Sequence, residues 1–257
     1  MSDELVQERR GAVLVARLNR PDARNALNGP MIRGISAAIE EAEQDPDIRA
    51  IVLTGTGDRA FCAGMDLAAF AAEGESGSGD EATTRGFFRL IEGEVSVPVV
   101  GAVNATAVAG GFEVLLGCDV IVASDDAEFG LPEVKRGLFP AGNGTFLGTR
   151  IPLGIALELM LTGERIDALR AYDLGLVNRV VPPDQVLDHA LELAETIAAN
   201  GPLGLAAVKE LGRLAVTDAA RARERIRHWQ EVVFSSEDAK EGATAFVEKR
   251  TPVWKGR

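Results

Sequence analysis

The chain of 257 residues is poor in the side chains that build disulfide, metal and ring-stacking sites. It contains two cysteines, two histidines, two tryptophans and one tyrosine. Two cysteines, Cys62 and Cys118, do not make a disulfide framework in a chain of this length, so we expect two buried, reduced thiols. The few histidines and cysteines form no zinc or iron ligand cluster in the sequence. We therefore expect a core that needs neither metal nor disulfide.

Positive charge is scarce as well. The chain has 27 Lys and Arg against 39 Asp and Glu, which gives a net charge of -12 at pH 7. Nucleic-acid phosphates require a cationic face, so this balance excludes nucleic acid as a partner. Net charge describes solubility and long-range steering rather than a local site, and it leaves room for a small anionic ligand held by a few cations.

Long apolar runs are absent too. No stretch approaches the ~18 apolar residues of a transmembrane helix, and residues 1–5 contain no basic segment leading into an apolar one. We expect no membrane span and no secretory signal, and hence a cytoplasmic protein. The composition, 46% hydrophobic and 26% charged, is typical of a globular protein with one large domain or two small ones.

The residues that are present form an α/β pattern followed by a helical one. An apolar, β-branched run at 11–18 predicts a strand, residues 28–43 predict a helix, and 49–54 predict a second strand. Buried strands are also predicted at 97–103 and 120–123. Helical segments are predicted at 153–162, 167–173, 184–200, 202–214 and 217–233. The sequence thus predicts an α/β region over 1–195 and a helical region over 196–257.

One segment, 71–85, differs from its neighbours because it is rich in small, polar and acidic residues. Such a composition predicts a loop rather than a packed element. The loop lies between two candidate sites in the sequence, so it is either a lid or a solvated connection without a role.

Two turns of small residues are candidates for an oxyanion hole. They are 63–66, Ala-Gly-Met-Asp, and 109–111, Ala-Gly-Gly. Both leave backbone N–H groups unshielded, and two such groups converging on one carbonyl stabilise developing negative charge. Close backbone packing is the alternative explanation. A Gly-x-Gly-x-x-Ala run at 55–60 resembles a dinucleotide fingerprint, but a further turn follows it where that fingerprint requires a helix.

Two glutamates lie in apolar surroundings, Glu113 within 111–116 and Glu133 within 129–134. A buried carboxylate is costly unless it is paired or protonated. One ionised and one protonated carboxyl form a general base and a general acid. The alternative is that each caps a helix or meets an arginine, for which Arg136 is available to Glu133. Glycosidases also use such pairs, but so few Trp and Tyr residues disfavour a sugar site.

Taken together, these motifs resemble the crotonase (enoyl-CoA hydratase/isomerase) superfamily, and the match covers nearly the whole chain. The C-terminal residues 252–257 are similar to the crotonobetainyl-CoA hydratase branch. The matching segments are 25–27 with Met31, 61–67, 98–104, 109–113, 118–119, 129–133, 137–140, 175–178, 237–242 and 245–250.

The resemblance implies a fold, an assembly and a reaction. The fold is an α/β crotonase spiral of ββα turns with a C-terminal helical trimerisation region, and the assembly is a homotrimer or a dimer of trimers. The reaction is that of an enoyl-CoA hydratase, a hydro-lyase (EC 4.2.1.17) that hydrates 2-enoyl-CoA to 3-hydroxyacyl-CoA in fatty-acid β-oxidation or related metabolism. No cofactor or metal is implied, since CoA is part of the acyl-CoA substrate.

The resemblance also implies site residues. It assigns the oxyanion N–H groups to Met65 and Gly110 and the catalytic carboxyls to Glu113 and Glu133. The substrate and CoA contacts that it implies are Arg24, Ala26, Ala63, Asp66, Leu67, Ala68 and Lys249. The last of these would act from a neighbouring subunit.

The chain departs from the family pattern at two places. Many hydratases carry lysine where this chain has Ala68, so one phosphate contact is lost. The glycine-rich run of the family is here 141–145, followed by Phe146 and Leu147 in place of polar residues. Two alternatives stay open, of which only the second gains support from these departures. One is an enoyl-CoA delta-isomerase that uses one carboxylate as a proton shuttle, and the other is a non-catalytic acyl-CoA-binding homologue.

Overall fold

The computed structural model describes residues 4–68, 71 and 80–257. Its main sheet has six strands in the order β1-β2-β3-β4-β6-β9. The strands are β1 (Leu5–Arg10), β2 (Val13–Leu18), β3 (Ala50–Gly55), β4 (Val99–Val103), β6 (Val120–Ser124) and β9 (Arg179–Val181). The first pair is an antiparallel hairpin, and all later pairs are parallel.

The central strands are buried on both faces, as their unbroken β-branched runs predict. Side chains alternate along β2, so that Leu14 packs into a core on one face while Val13 and Val15 pack into a core on the other. The helix α1 (Gly29–Gln44) lies on the first face, with Met31 and Ile35 buried as their spacing predicts.

A second, three-stranded sheet consists of β5 (Ala107–Val108), β7 (Glu128–Gly130) and β8 (Arg165–Asp167), in the order β5-β7-β8. The remaining helices are α2 (Glu81–Glu92), α3 (Gly110–Gly117), α4 (Leu153–Thr162), α5 (Ala168–Asp173), α6 (Val186–Ala198), α7 (Pro202–Thr217), α8 (Ala219–Phe234) and α9 (Glu237–Glu248). None of the helices in the described ranges is long and apolar enough to cross a membrane.

The loop prediction for 71–85 is wrong at its C-terminal end. The helix α2 begins at Glu81, and the Asp80 side chain caps it by accepting a hydrogen bond from the Thr83 N–H at 2.9 Å. Phe87 and Leu90 bury its apolar face against α1. The polar composition of 72–79 concealed this start, and the candidate lid itself lies outside the described residues.

The edge strand β1 was not predicted either. Its sequence, LVQERR, is mostly charged towards the end and its side chains there are exposed, so it shows no apolar alternation. The division at residue 195 stays a prediction. That residue lies inside α6, which packs on β3, β4 and β6.

Two cations, a buried lysine side chain and a half-buried arginine, join the helical region to the sheet region. The Lys209 ammonium on α7 donates to Asp119 Oδ2 at 2.7 Å and to the Val97 carbonyl at 2.9 Å. Arg213 donates to Asp119 Oδ1 at 2.9 Å and to the Gly117 carbonyl at 2.7 Å. These cations meet the carbonyl end of α3, where the helix dipole is negative, and so fix the far end of the helix that begins at Gly110.

The two cysteines are buried free thiols, as predicted. Burial raises the pKa of the Cys62 thiol and of the Cys118 thiol to about 12. Neither is therefore a reactive thiolate near neutral pH.

Candidate active site

The first small-residue turn is held beside Leu27 by a parallel bridge between Leu27 and Met65. The Leu27 N–H donates to the Gly64 carbonyl at 2.8 Å, and the Asp66 N–H donates to the Leu27 carbonyl at 2.8 Å. The Met65 N–H lies between these two bonds and points away from the bridge, as the alternation of a parallel ladder requires. No acceptor in the described part of the chain takes a hydrogen bond from it.

The second turn places the Gly110 N–H at the start of α3. A helix leaves its first N–H groups without intrahelical partners, and the Gly110 N–H has no acceptor among residues 4–68, 71 and 80–257. The preceding residue, Ala109, has a φ of 51°, a conformation that costs a non-glycine residue free energy. Its N–H donates to the Gly130 carbonyl at 3.0 Å, which ties the turn to β7.

The two turns lie directly against each other. A Cβ added to Gly64 would lie 2.7 Å from the Ala109 Cβ and 3.2 Å from the Gly110 nitrogen. A Cβ added to Gly110 would lie 3.6 Å from the Met65 nitrogen. Gly64 also has a φ of 91°, which favours glycine. The absence of side chains at these positions thus brings two unpaired N–H groups together.

Glu113 follows Gly110 by one turn of α3, and its residue is 7% exposed. Its Oε1 accepts hydrogen bonds from the Gly142 N–H at 2.8 Å and from the Gly144 N–H at 3.0 Å. Burial raises the pKa of the Glu113 carboxyl, and the two N–H groups oppose that rise because they favour the ionised form. Glu113 is therefore a buried carboxyl whose ionised form is stabilised by two backbone N–H groups.

An added side chain would crowd the carboxylate at both donor positions, more severely at Gly144 than at Gly142. A Cβ on Gly142 would lie 3.1 Å from each of the three carboxyl atoms of Glu113. A Cβ on Gly144 would lie 2.5 Å from the Pro140 Cβ and 3.0 Å from Glu113 Oε1. The loop can approach the carboxylate only because these residues have no side chain.

Glu133 is the second residue of a short 3-10 helix, Pro132–Arg136, which follows β7. Its Oε2 is buried and has no hydrogen-bond partner among the described residues. Burial raises the pKa of the Glu133 carboxyl, and the negative charge of Glu113 raises it further, against the lowering effects of the Glu133 N–H and of Arg136. The protonated form of Glu133 is thus favoured by its surroundings, and no backbone N–H of another described residue stabilises its ionised form as Gly142 and Gly144 do for Glu113.

The alternative in which an arginine neutralises Glu133 is not realised. Arg136 is exposed, and it forms no ion pair with Glu133 in the structure. Glu113 likewise has no cation as a partner among the residues described, since its bonds come from backbone N–H groups. Two carboxyls without counterions share one region of the molecule, which is the arrangement that separates acid and base roles.

The residues expected to contact the substrate fall into two groups. The larger group surrounds the first turn and comprises Arg24, Ala26, Ala63, Asp66, Leu67 and Ala68. The Ala63 N–H donates to the Arg24 carbonyl at 3.1 Å, which joins the two segments. The exposed Arg24 side chain makes no ion pair within the described residues and is available to a ligand. Leu67 is also exposed.

Lys249 belongs to the second group. It is the C-cap of α9, has a φ of 55°, and lies on a helix that packs on α8. Its N–H donates to the Phe246 carbonyl, and its side chain is exposed. No hydrogen bond within the described residues connects it to the two turns.

Sequence reasoning missed three contributors to this region. Gly142 and Gly144 belong to a run that was noted for its glycines, but their role as donors to Glu113 depends on the return of the chain past α3. Arg20 belongs to a turn signal at 19–22 that follows the first predicted strand, and nothing in that pattern marked it as a site residue. Its guanidinium donates to the Ala26 carbonyl at 2.7 Å and to Asp66 Oδ2 at 3.0 Å.

Known proteins share the sequence pattern and the fold of this chain. A family model described as "Enoyl-CoA hydratase/isomerase" matches residues 8–257. The chain is 42% identical to "Enoyl-CoA hydratase EchA19" of Mycobacterium tuberculosis, over 99% of this chain and 97% of that protein. It is 40% identical to "Carnitinyl-CoA dehydratase" of Proteus mirabilis, over 100% of both chains. A solved structure, a probable enoyl-CoA hydratase/isomerase from Mycobacterium abscessus, superposes with a TM-score of 0.90 at 44% identity, over 100% of each chain.

Proposed function

This chain belongs to the enoyl-CoA hydratase/isomerase family, the crotonases, and from that premise we propose that it hydrates the 2,3 double bond of a 2-enoyl-CoA thioester. The product is a 3-hydroxyacyl-CoA, and the enzyme is a hydro-lyase. The observation that carries this proposal is the pair Glu113 and Glu133, two carboxyls that have no counterion among the described residues. Glu113 lies one turn along the helix from the Gly110 N–H, which with the Met65 N–H has no acceptor in the same part of the chain. Hydration requires a general base that deprotonates the attacking water and a general acid that protonates the α-carbon.

The Met65 and Gly110 N–H groups act on the thioester carbonyl. Negative charge develops on that oxygen when water adds to the β-carbon, so donors placed there stabilise the transition state more than the substrate. Removal of one such donor typically costs ~10²–10³-fold in kcat. The proximity of the two N–H groups across Gly64 supports this assignment.

Glu113 serves as the general base in this scheme. Its Oε1 is held by Gly142 and Gly144, which leaves Oε2 to orient and deprotonate the water that attacks the β-carbon. Glu133 serves as the general acid and delivers a proton to the α-carbon. Burial and the Glu113 charge raise the pKa of Glu133, which favours the protonated form that a general acid requires.

The substrate is proposed to bind through a few local cations and backbone groups. Arg24 and the turn at 63–68 would hold the CoA portion, with no lysine at Ala68 to add a phosphate contact. Lys249 would reach the phosphates of a CoA molecule bound to a neighbouring subunit in a homotrimer or a dimer of trimers. Such a site accommodates a polyanionic ligand despite the net charge of -12.

A second candidate substrate has support of its own. The chain is 40% identical over its full length to a protein named carnitinyl-CoA dehydratase. Dehydration of a 3-hydroxyacyl-CoA is the reverse of hydration and uses the same two carboxyls, with the roles of acid and base exchanged. A carnitinyl-type acyl group is therefore the alternative to an aliphatic one.

The test is direct. Crotonyl-CoA is mixed with the protein, and loss of the conjugated enoyl-thioester absorbance is followed; carnitinyl-CoA is tested for the reverse reaction. Glu113→Gln and Glu133→Gln should each reduce kcat by ~10²-fold or more with little change in binding. Glu128→Gln is the matched control, because Glu128 is an exposed carboxylate on β7 paired with Arg165. Absence of turnover with short, medium, branched and carnitinyl substrates would refute the proposal, and conversion of a 3-enoyl-CoA without hydration would favour isomerisation.

A further inference from the structure

We propose that Arg20 is a positioning residue for the Met65 N–H, acting through Ala26 and Asp66. This inference rests on the proposed function, because it assumes that the Met65 N–H binds the thioester oxygen. Arg20 itself touches neither the substrate nor the reacting atoms in this account. Its role is to hold the two backbone segments whose bridge aims the donor.

The contacts of the guanidinium carry the argument. Leu27 and Met65 form the bridge. Arg20 binds Ala26, which precedes Leu27, and Asp66, which follows Met65. Its Nη1 donates to the Ala26 carbonyl at 2.7 Å, and its Nη2 donates to Asp66 Oδ2 at 3.0 Å. One planar, rigid group thus spans both sides of the bridge. A flexible or smaller cation reproduces this double contact less well.

The base of the Arg20 side chain is fixed as well. The Arg20 N–H donates to Asn25 Oδ1 at 2.9 Å, and Asn25 is fully buried. The Asn25 amide in turn donates to the carbonyls of Thr56 at 3.0 Å and Ala60 at 2.9 Å. The arginine therefore starts from a rigid part of the core and reaches outward to the turn.

The ion pair between Arg20 and Asp66 is partly withdrawn from water. The side chains are 20% and 19% exposed, whereas the surface pair Arg9 and Asp45 is 44% and 32% exposed. Screening by solvent is weaker at the Arg20 pair, so its geometry is better defined than that of an ordinary surface pair. A third group, Glu4, lies 3.6 Å from the Arg20 Nε and adds attraction from the other side.

The expected consequence concerns rate rather than affinity. An oxyanion donor works within a narrow range of ~2.7–3.1 Å from the oxygen, so a loosened Met65 turn gives a donor that is present but misplaced. Arg20→Gln removes both contacts, and Asp66→Asn removes the charge of one partner while preserving its size. We expect each to lower kcat with crotonyl-CoA ~10-fold or more. For Arg20→Gln, which removes no substrate contact in this account, KM should change less than kcat does. Arg20→Lys should recover part of the loss, because it restores the charge but not the planar fork.

A spectroscopic measurement separates positioning from simple stability. Butyryl-CoA labelled with carbon-13 at the carbonyl is saturated and cannot be hydrated, and its C=O stretching frequency falls when the oxygen accepts hydrogen bonds. We expect isotope-edited infrared spectra to show a large downshift on binding to the wild-type protein and a smaller one with Arg20→Gln and Asp66→Asn. Each spectrum is recorded well below the unfolding temperature of the variant.

The matched control is Arg9→Gln. Arg9 also joins a carbonyl and a carboxylate, since it donates to the Gly11 carbonyl at 3.2 Å and to Asp45 Oδ2 at 2.6 Å, but it joins the β1–β2 turn to the end of α1. It should leave both kcat and the infrared shift unchanged. Arg20 variants that melt earlier but keep the wild-type kcat and downshift would overturn the positioning role. A wild-type protein that neither shifts the carbonyl of butyryl-CoA nor turns over any of the short, medium, branched and carnitinyl substrates would overturn the proposed function, and the positioning role with it.

Discussion

Replacement of Gly144 by alanine perturbs the Glu113 carboxylate without removing any carboxyl group. The added Cβ would lie 2.5 Å from the Pro140 Cβ and 3.0 Å from Glu113 Oε1, and both distances are shorter than a normal contact. The loop must move away, and the Gly144 N–H that donates to Oε1 at 3.0 Å moves with it. Glu113 then keeps one of its two backbone donors, from Gly142.

The size of the effect follows from the lost hydrogen bond. A hydrogen bond to a charged group contributes ~1.5–3 kcal/mol, and ~1.4 kcal/mol corresponds to a factor of ten in an equilibrium or a rate. Because burial already raises the pKa of Glu113, loss of a donor raises that pKa further and leaves less of the base ionised. On the acid side of the pH profile, kcat/KM should therefore fall ~10- to 100-fold.

The assay is the hydration of crotonyl-CoA measured across the pH range in which the protein is stable. The acid limb of kcat/KM should move to higher pH, so that the defect is largest at low pH and shrinks as pH rises. Gly142→Ala should give a smaller effect, because its closest new contacts are 3.1 Å. Gly154→Ala is the control, since a Cβ there meets nothing within 4 Å. A loss of equal size at every pH would refute the view that these glycines support the ionised form of Glu113.

Three further predictions test other parts of the site. Burial raises the pKa of Glu133, so the folded protein loses stability as the pH rises through that pKa. Glu133→Gln should therefore have a higher Tm than the wild type at pH 8, and a smaller advantage at pH 5. An equal or lower Tm of the variant at pH 8 would contradict this. Gly64→Ala should reduce kcat ~10²-fold or more, because its Cβ would lie 2.7 Å from the Cβ of Ala109. The control is Gly57→Ala, which has a similar φ of 87° but no new contact shorter than 3.4 Å, and it should lower Tm and leave kcat unchanged. Similar kcat losses in both variants would show that backbone strain, and not the clash with Ala109, causes the loss. Lys249→Gln should raise the KM for crotonyl-CoA more than it lowers kcat, and an unchanged KM would remove Lys249 from the CoA site.

Patterns of side chains predicted the fold where the pattern itself is local. The strands at the centre of the sheet were predictable because burial on both faces leaves an unbroken β-branched run, and the helix α1 was predictable because burial on one face leaves a helical period. The strand β1 and the start of α2 were missed for the opposite reason. Both stretches are mostly polar and show no apolar pattern. Pairing with β2 sets the position of β1, and packing on α1 sets the position of α2.

The site was predictable to a different extent. The small-residue turns marked Gly64 and Gly110 as candidates, because glycine lets the backbone approach another group closely. The apolar runs marked Glu113 and Glu133, because burial of a carboxylate costs free energy unless it is paired or protonated. Which groups meet was not readable from spacing. The donors to Glu113 come from residues 29 and 31 positions later in the chain, and Arg20 reaches an aspartate 46 positions away. Such contacts depend on how the chain returns past α3 and past the first turn, and only the folded structure contains that information.

The measurement that tests the central proposal most directly is the source of the oxygen in the product. Crotonyl-CoA is incubated with the protein in water enriched in oxygen-18, and the 3-hydroxybutyryl-CoA formed is analysed by mass spectrometry after removal of the protein. We expect the label at the 3-hydroxyl group in the wild-type reaction, with its rate of appearance reduced by orders of magnitude in Glu113→Gln and Glu133→Gln. Formation of no labelled product, or undiminished labelling by both variants, would contradict hydration by this pair of carboxyls.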